Sequence, residues 1–426
     1  MPITAAELRP PRAELDAVAG IEAWIDTYHA VRGLTAHNNC VFLTDSAVGQ
    51  REEHNLRHLR ANLGDDAPRV MNTDEEIDAI VIPSQGLKGT GAGRLGLAGL
   101  RLRDGAKLVR RVGRKPEVDD LTDPTIVEIL KQGYSGLREG IRSGAARHID
   151  QDADGLAMEL LYPGYFGMFS IPNIDLLVAC QKNYNDWVFD YAAQGKGRLH
   201  GLAAIPLQDP EAGLAELKRV IGKGFKGVCI PCTSPEEKPY FNDHYDPIWE
   251  TAQEAGVPVS MHVGCNAYVS PHLLSTAPDP LASYAGSAAN IQRTLVEFIC
   301  RGVAEKFPNL KIVVGEFNAG WLAHWLDRLD QGVSRENRFG RGPFMDTRPL
   351  EIWRRQFYAT IEDDRAAILT RHILGVDNLM WGADYPHSDS TWPCSREVLS
   401  EVMADVPHDE VRKITRDNVS LLYGLD

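Results

Sequence analysis

At 426 residues, with 43% hydrophobic and 24% charged residues, the chain is long enough for a single large barrel with insertions and has the make-up of a globular protein. Its 45 basic and 59 acidic residues leave a net charge of −14, which argues against nucleic acid and anionic membrane as partners. No apolar run reaches the roughly 18 residues that cross a bilayer, and no basic start leads into an apolar segment, so a cytoplasmic protein without a secretory signal is expected.

The first pattern lies at 11–34, where Leu15, Val18, Ile21, Trp24, Ile25, Tyr28 and Val31 recur at helical spacing. This predicts an N-terminal helical extension over 1–38, ahead of the main domain at 39–426. Cys40–Thr44 then reads as a short buried strand ending at Asp45, and 79–82 (AIVI) as another. Residues 84–150 are dense in Gly and Arg and carry Pro116 and Pro124. They are expected to form a loop-rich insertion with a helix near 124–146, either a solvated surface loop or an arm that packs on a partner subunit.

From residue 155 a strand-helix alternation begins. Strand-like runs fall at 156–162, 199–205, 225–230, 257–263, 310–316, 357–360 and 379–383. Helical patterns fill the intervals at 173–194, 210–223, 246–255, 286–306, 319–334 and 362–374, and two more follow within 395–424. Short apolar strands alternating with amphipathic helices signal a parallel sheet with crossover helices. With the strand near 40 the count reaches about eight, which predicts a (β/α)8 barrel. The seven cysteines are odd in number and scattered, and the C-x-x-C of Cys229 and Cys232 closes a strand where a redox motif would open a helix. They are expected to be buried free thiols.

Side chains able to do chemistry stand at the ends of these strands: Asp45, His262, Glu316 and Asp384, with His387 three residues further on. Strand C-termini form the open mouth of a barrel, so groups at that level on separate strands converge. Carboxylates with imidazoles suit zinc, manganese or iron. Taken singly, each has a plainer reading, since an acidic residue after a strand often caps the next helix and a lone histidine is often a core residue.

Several longer strings resemble the amidohydrolase-2 family, the relatives of aminocarboxymuconate-semialdehyde decarboxylase. They are GVDNLMWGADYPHSDSTWPCSREV at 375–398, YNDWVFDYAAQGKGRLHGLAAIPLQDP at 184–210, GFKGVCIP at 224–231, PVSMHVG at 258–264 and GEFNAGWLAHWLDRLD at 315–330. The resemblance implies a distorted TIM barrel holding one divalent metal, zinc by preference, and acting as decarboxylase or hydrolase on a small carboxylate. By the same resemblance His262 and Asp384 are metal ligands and Asp384 carries the proton, while Glu316 and His387 belong to the same signature. Relatives place a histidine two residues after the first-strand acid, whereas this chain has Asp45-Ser46-Ala47. That departure raises an alternative, a catalytically incomplete subunit paired with a paralogue in a metal-dependent oxygenase of the 2-aminoisobutyrate hydroxylase type. Homo-oligomers or hetero-oligomers through 11–34 and 84–150 are expected in either case. If Ala47 occupies the missing ligand position, Ala47→His should retain metal against a chelator series that strips the wild type, because affinity grows with the full ligand set. Equal retention, measured as residual metal after dialysis, would mean that the first strand is misaligned.

Overall fold

The computed structural model describes residues 137–425, apart from 165, 236, 269–279 and 388–389, together with two strands nearer the N-terminus. The chain divides into two compact units, Met1–Gly93 and Arg94–Asp426. In the first, β1 (Ala5–Leu8) pairs in parallel with β2 (Cys40–Leu43), in register from Ala5–Cys40 to Leu8–Leu43. The helix expected at 11–34, the strand at 79–82, Asp45, Ala47 and most of 84–150 lie outside the described residues.

The second unit opens with two short helices, α1 (Glu139–Arg142) and α2 (Arg147–Asp154), and then β3 (Glu159–Leu161). The alternation follows as α3 (Ile174–Ala193), β4 (Leu199–Gly201) with β5 (Ala203–Ala204), α4 (Pro210–Lys223), β6 (Val228–Ile230), α5 (Asp246–Ala255) and β7 (Val259–His262). After it come α6 (Pro280–Gly286), α7 (Ala288–Cys300), α8 (Val303–Lys306), β8 (Ile312–Gly315), α9 (Gly320–Arg338) and α10 (Pro349–Gln356). The chain continues through β9 (Phe357–Ile361), α11 (Arg365–Leu374), β10 (Leu379–Trp381), α12 (Ser395–Val402), α13 (His408–Arg412) and α14 (Asn418–Tyr423).

Every pairing is parallel. One sheet runs β10-β9-β8-β7-β6-β5 and a second pairs β3 with β4. β4 and β5 are one strand interrupted at Leu202, whose N–H donates to Leu161 O while that of Ala203 donates to Gly227 O. The described strands therefore form one series of seven.

The series curves. In a flat sheet β3 and β7 would lie three spacings apart, about 14 Å. Yet the ring of Tyr162, just past β3, stands 4.7 Å from that of His262 at the end of β7, and its hydroxyl donates to Ser260 Oγ at 3.3 Å. A Cβ added to Gly315 on β8 would come within 3.1 Å of the same tyrosine ring. Leu160, Leu202, Val313, Tyr358 and Met380, from β3 round to β10, meet in one interior cluster with Tyr423 of α14. These contacts give the α/β-barrel curvature, with Tyr423 filling its floor. The larger core lies outside the strands, where Leu217, Ile248, Trp249, Phe298, Leu326 and Trp353 pack the helices on.

Local signals explain the helix bounds. Asp209 accepts from the N–H groups of Glu211 and Ala212, Pro210 sits in the first turn, and Gly224 ends α4 at φ 96°. Cys180, Cys229, Cys232, Cys265 and Cys300 are buried free thiols. No helix among the described residues is long and apolar enough to cross a membrane.

Gly227 precedes β6 beneath the floor. An added Cβ there would lie 2.7 Å from Tyr423 Cε1 and 2.8 Å from Leu202 Cδ2. Gly227→Ala should therefore cost about 1–3 kcal/mol through overpacking, seen as a lower urea midpoint at unchanged m-value.

Candidate metal centre

Four of the five predicted residues come together at the mouth; Asp45 lies outside the described residues. His262 is the last residue of β7 and is 4% exposed. Its Nδ1 lies 2.8 Å from Val263 O, a contact in which the ring nitrogen donates. That leaves Nε2 to face the mouth, the usual arrangement by which a second partner fixes a metal-binding imidazole. Tyr162 bears on one side of the ring, so its orientation is held by packing as well.

Glu316 directly follows β8, and Asp384 follows β10 after Gly382 and Ala383. Both have left-handed backbones, at φ 58° and 54°. Non-glycine residues seldom adopt this conformation unless their surroundings impose it. At Glu316 the N–H donates to Thr360 Oγ1 of β9 at 2.8 Å, which pins the turn. The turn at Asp384 leads into the segment 385–395, tied by Ser390 Oγ and Thr391 N, both donating to Ala383 O, and by Thr391 Oγ1 against Ser395 Oγ.

The four side chains share contacts. Glu316 Oε2 is 2.8 Å from His262 Nε2, and Glu316 Oε1 is 3.8 Å from His387 Nδ1. His387 Nδ1 lies 2.8 Å from Asp384 Oδ1. Ligand atoms of Glu316, Asp384 and His387 all fall within 4.8 Å of one another. Burial alone would lower the His262 pKa, but the Glu316 carboxylate and its hydrogen bond raise it to about 9. Burial would raise the Glu316 pKa, yet the same pairing, helped by His387 and a hydrogen bond from Asp384, holds it well below the usual carboxylate range. Asp384 moves the other way: burial pushes it up against the pull of His387, and the Glu316 charge adds to the rise. The proton affinities of two adjacent carboxyls are thus driven apart, Glu316 down and Asp384 up.

The plainer reading of a strand-end acid holds elsewhere. Asp364, beyond β9, accepts from the N–H groups of Ala319 and Gly320 at the start of α9 and of Ala367 in α11, and so serves as a helix cap. Glu316 and Asp384 instead turn toward the imidazoles. Lys226, ahead of β6, reaches Gly424 O at the opposite end of the barrel from the mouth. The sequence reading did not find Tyr162, Thr360 or Asp150. Glu316, Asp384 and His387, mutually within reach and partly exposed, with the buried His262 joined to them through Glu316, are a donor set that suits a divalent metal.

The amidohydrolase family profile matches residues 134–425. The chain belongs to the amidohydrolase family. Among its relatives, the decarboxylase orsB of Emericella nidulans is 25% identical over 269 residues, covering 60% of this chain and 78% of that one. The gamma-resorcylate decarboxylase of a Rhizobium species is 24% identical over 288 residues, covering 65% and 85%. In fold the chain is similar to a dihydroxybenzoic acid decarboxylase from Polaromonas sp. JS666, solved with bound manganese and the inhibitor 2-nitroresorcinol. There the TM-score is 0.58 at 21% identity, over 71% of this chain and 90% of that one.

If His262 is a ligand, His262→Ala should weaken Mn2+ binding by more than the roughly 10- to 100-fold that losing a supporting hydrogen-bond partner costs. Isothermal titration of the metal-stripped protein measures this, and unchanged affinity would remove His262 from the site.

Proposed function

We propose that this protein is a manganese-dependent decarboxylase of a small aromatic carboxylate. The cluster of His262, Glu316, Asp384 and His387 at the barrel mouth carries the proposal. Membership of the amidohydrolase family and the decarboxylase activity named for its relatives support it. Zinc is the preference drawn from sequence, but the manganese in the Polaromonas enzyme favours that ion. Those relatives also favour an enzyme over the incomplete oxygenase subunit considered from the Ala47 departure, and over a hydrolase.

In this reading His262 and Asp384 would hold the metal, with Glu316 completing its ligands. A divalent ion held there would supply positive charge beside a substrate carboxylate. The chain's own groups do the rest. The Asp384 carboxyl gives its proton to the ring carbon that bears the carboxylate. The bond from that carbon to the carboxylate then breaks, its electron pair returns to the ring, and carbon dioxide leaves. One proton has replaced one carbon dioxide. His387 Nδ1, on the Asp384 carboxylate and 27% exposed, returns a proton from solvent. Tyr162 and Val263 keep His262 oriented throughout.

The test is carbon dioxide release from 2,6-dihydroxybenzoate and 5-carboxyvanillate by the Mn2+-loaded protein. Asp384→Asn should lower kcat by about 10²–10⁴-fold, the usual worth of a positioned acid. A wild type that binds Mn2+ but releases no carbon dioxide from these or other hydroxybenzoates would overturn the proposal.

A further inference from the structure

α2 is built inside out. Its buried residues are Arg147, Asp150, Gln151 and Asp154, each at most 5% exposed, while its one large apolar residue, Ile149, is 57% exposed. Burying such groups is costly unless each finds a partner, so where their bonds go indicates what the helix is for.

All four bond to the start of β3 or to the segment that follows Asp384. Arg147 and Gln151 bind Glu159, and the Arg147 guanidinium also lies over the Tyr385 ring, 4.0 Å from its centroid. Asp154 accepts from the N–H and hydroxyl of Ser395. Asp150 does most. Its Oδ2 accepts from Tyr385 OH at 2.5 Å, its Oδ1 accepts from Arg138, and its backbone carbonyl accepts from Trp392 Nε1 at 2.7 Å. Tyr385 is thus held by its hydroxyl on Asp150, by one face on Arg147, and by an edge contact with Trp392 at 5.1 Å.

Tyr385 is the next residue after Asp384, whose left-handed backbone needs such support. We infer that α2 is a positioning clamp for Asp384: Asp150, acting through Tyr385, holds the turn that aims the Asp384 carboxyl at His387 and Glu316. Residues 138–154 then serve the site of their own chain; 138–150 are the end of the stretch 84–150, for which the sequence left a surface loop and a partner-subunit arm both open.

The inference rests on Asp384 belonging to the site, so the experiment separates the two. Mn2+ affinity is measured by titration on wild type, Tyr385→Phe, Asp150→Asn, the double variant, Asp384→Asn and Gln151→Ala, each with a thermal melt. Tyr385→Phe and Asp150→Asn should each weaken Mn2+ binding roughly 10- to 100-fold, the range for a supporting partner. The double variant should lose no more than the worse single one, because both act along one path. Gln151→Ala cuts the same helix's bonds to Glu159 and to Arg198 O without touching Tyr385 and should lower the melting temperature while leaving the affinity unchanged. If Tyr385→Phe melts lower but binds Mn2+ like wild type, α2 is only structural and the clamp is overturned. Where Tyr385→Phe does not fold, Asp150→Asn decides on the same terms. If Asp384→Asn leaves affinity intact, or wild type binds no Mn2+, the site assignment fails and the clamp with it. If Asp384→Asn weakens binding and the clamp variants do not, the clamp alone fails.

Discussion

The Glu316 carboxylate is the contact on which the site depends. It receives His262 Nε2 on one oxygen, lies near His387 on the other, and stands against the Asp384 carboxyl. Three elements of the barrel, β7, β8 and the segment after β10, are brought to one point by that group. A buried carboxylate without such partners would cost several kcal/mol. With them it raises the proton affinity of its neighbours, His262 on one side and Asp384 on the other.

That arrangement needs backbone geometry that regular strands do not supply. A strand-end side chain that continued in β geometry would alternate between interior and exterior with its neighbours. The left-handed turns at Glu316 and Asp384 break the alternation and direct both carboxyls inward. Each turn is stabilised from outside itself, one by Thr360 of the adjacent strand and the other by residues tied to α2. The site is thus a property of the curved sheet, and the 4.7 Å approach of Tyr162 to His262 expresses the same curvature at the interior.

Much of this was legible in the sequence because most helices here are conventional. The patterns at 210–223 and 246–255 match α4 and α5 residue for residue, since caps, proline and glycine mark the ends that periodicity leaves vague. The strand-end residues His262, Glu316, Asp384 and His387 were legible as candidates because parallel strands carry their chemistry at one end. Two helices escaped for a physical reason. α2, RHIDQDAD, has no apolar stripe because it buries charge, and α10, PLEIWRRQ, buries only a narrow face of Ile352, Trp353 and Gln356 behind Pro349. A reading that looks for apolar periodicity cannot see a helix whose inner face is salt-bridged. Nor could it see that Tyr385 and Trp392 are spaced to meet Asp150, since that match spans 235 and 242 positions along the chain.

Those separations have a consequence for how the chain is made. At a ribosomal rate of roughly 5–20 residues per second, Tyr385 emerges about 12 to 47 seconds after Asp150. Throughout that interval Asp150 and Asp154 lack the hydroxyl and ring partners that later cover them. The helix therefore cannot settle onto its final face early in synthesis, and its one bulky apolar residue, Ile149, gives it little to collapse with. Nascent chains paused anywhere between 155 and 385 would carry a hydrated, protease-sensitive α2, and its protection would arrive together with the signature segment itself.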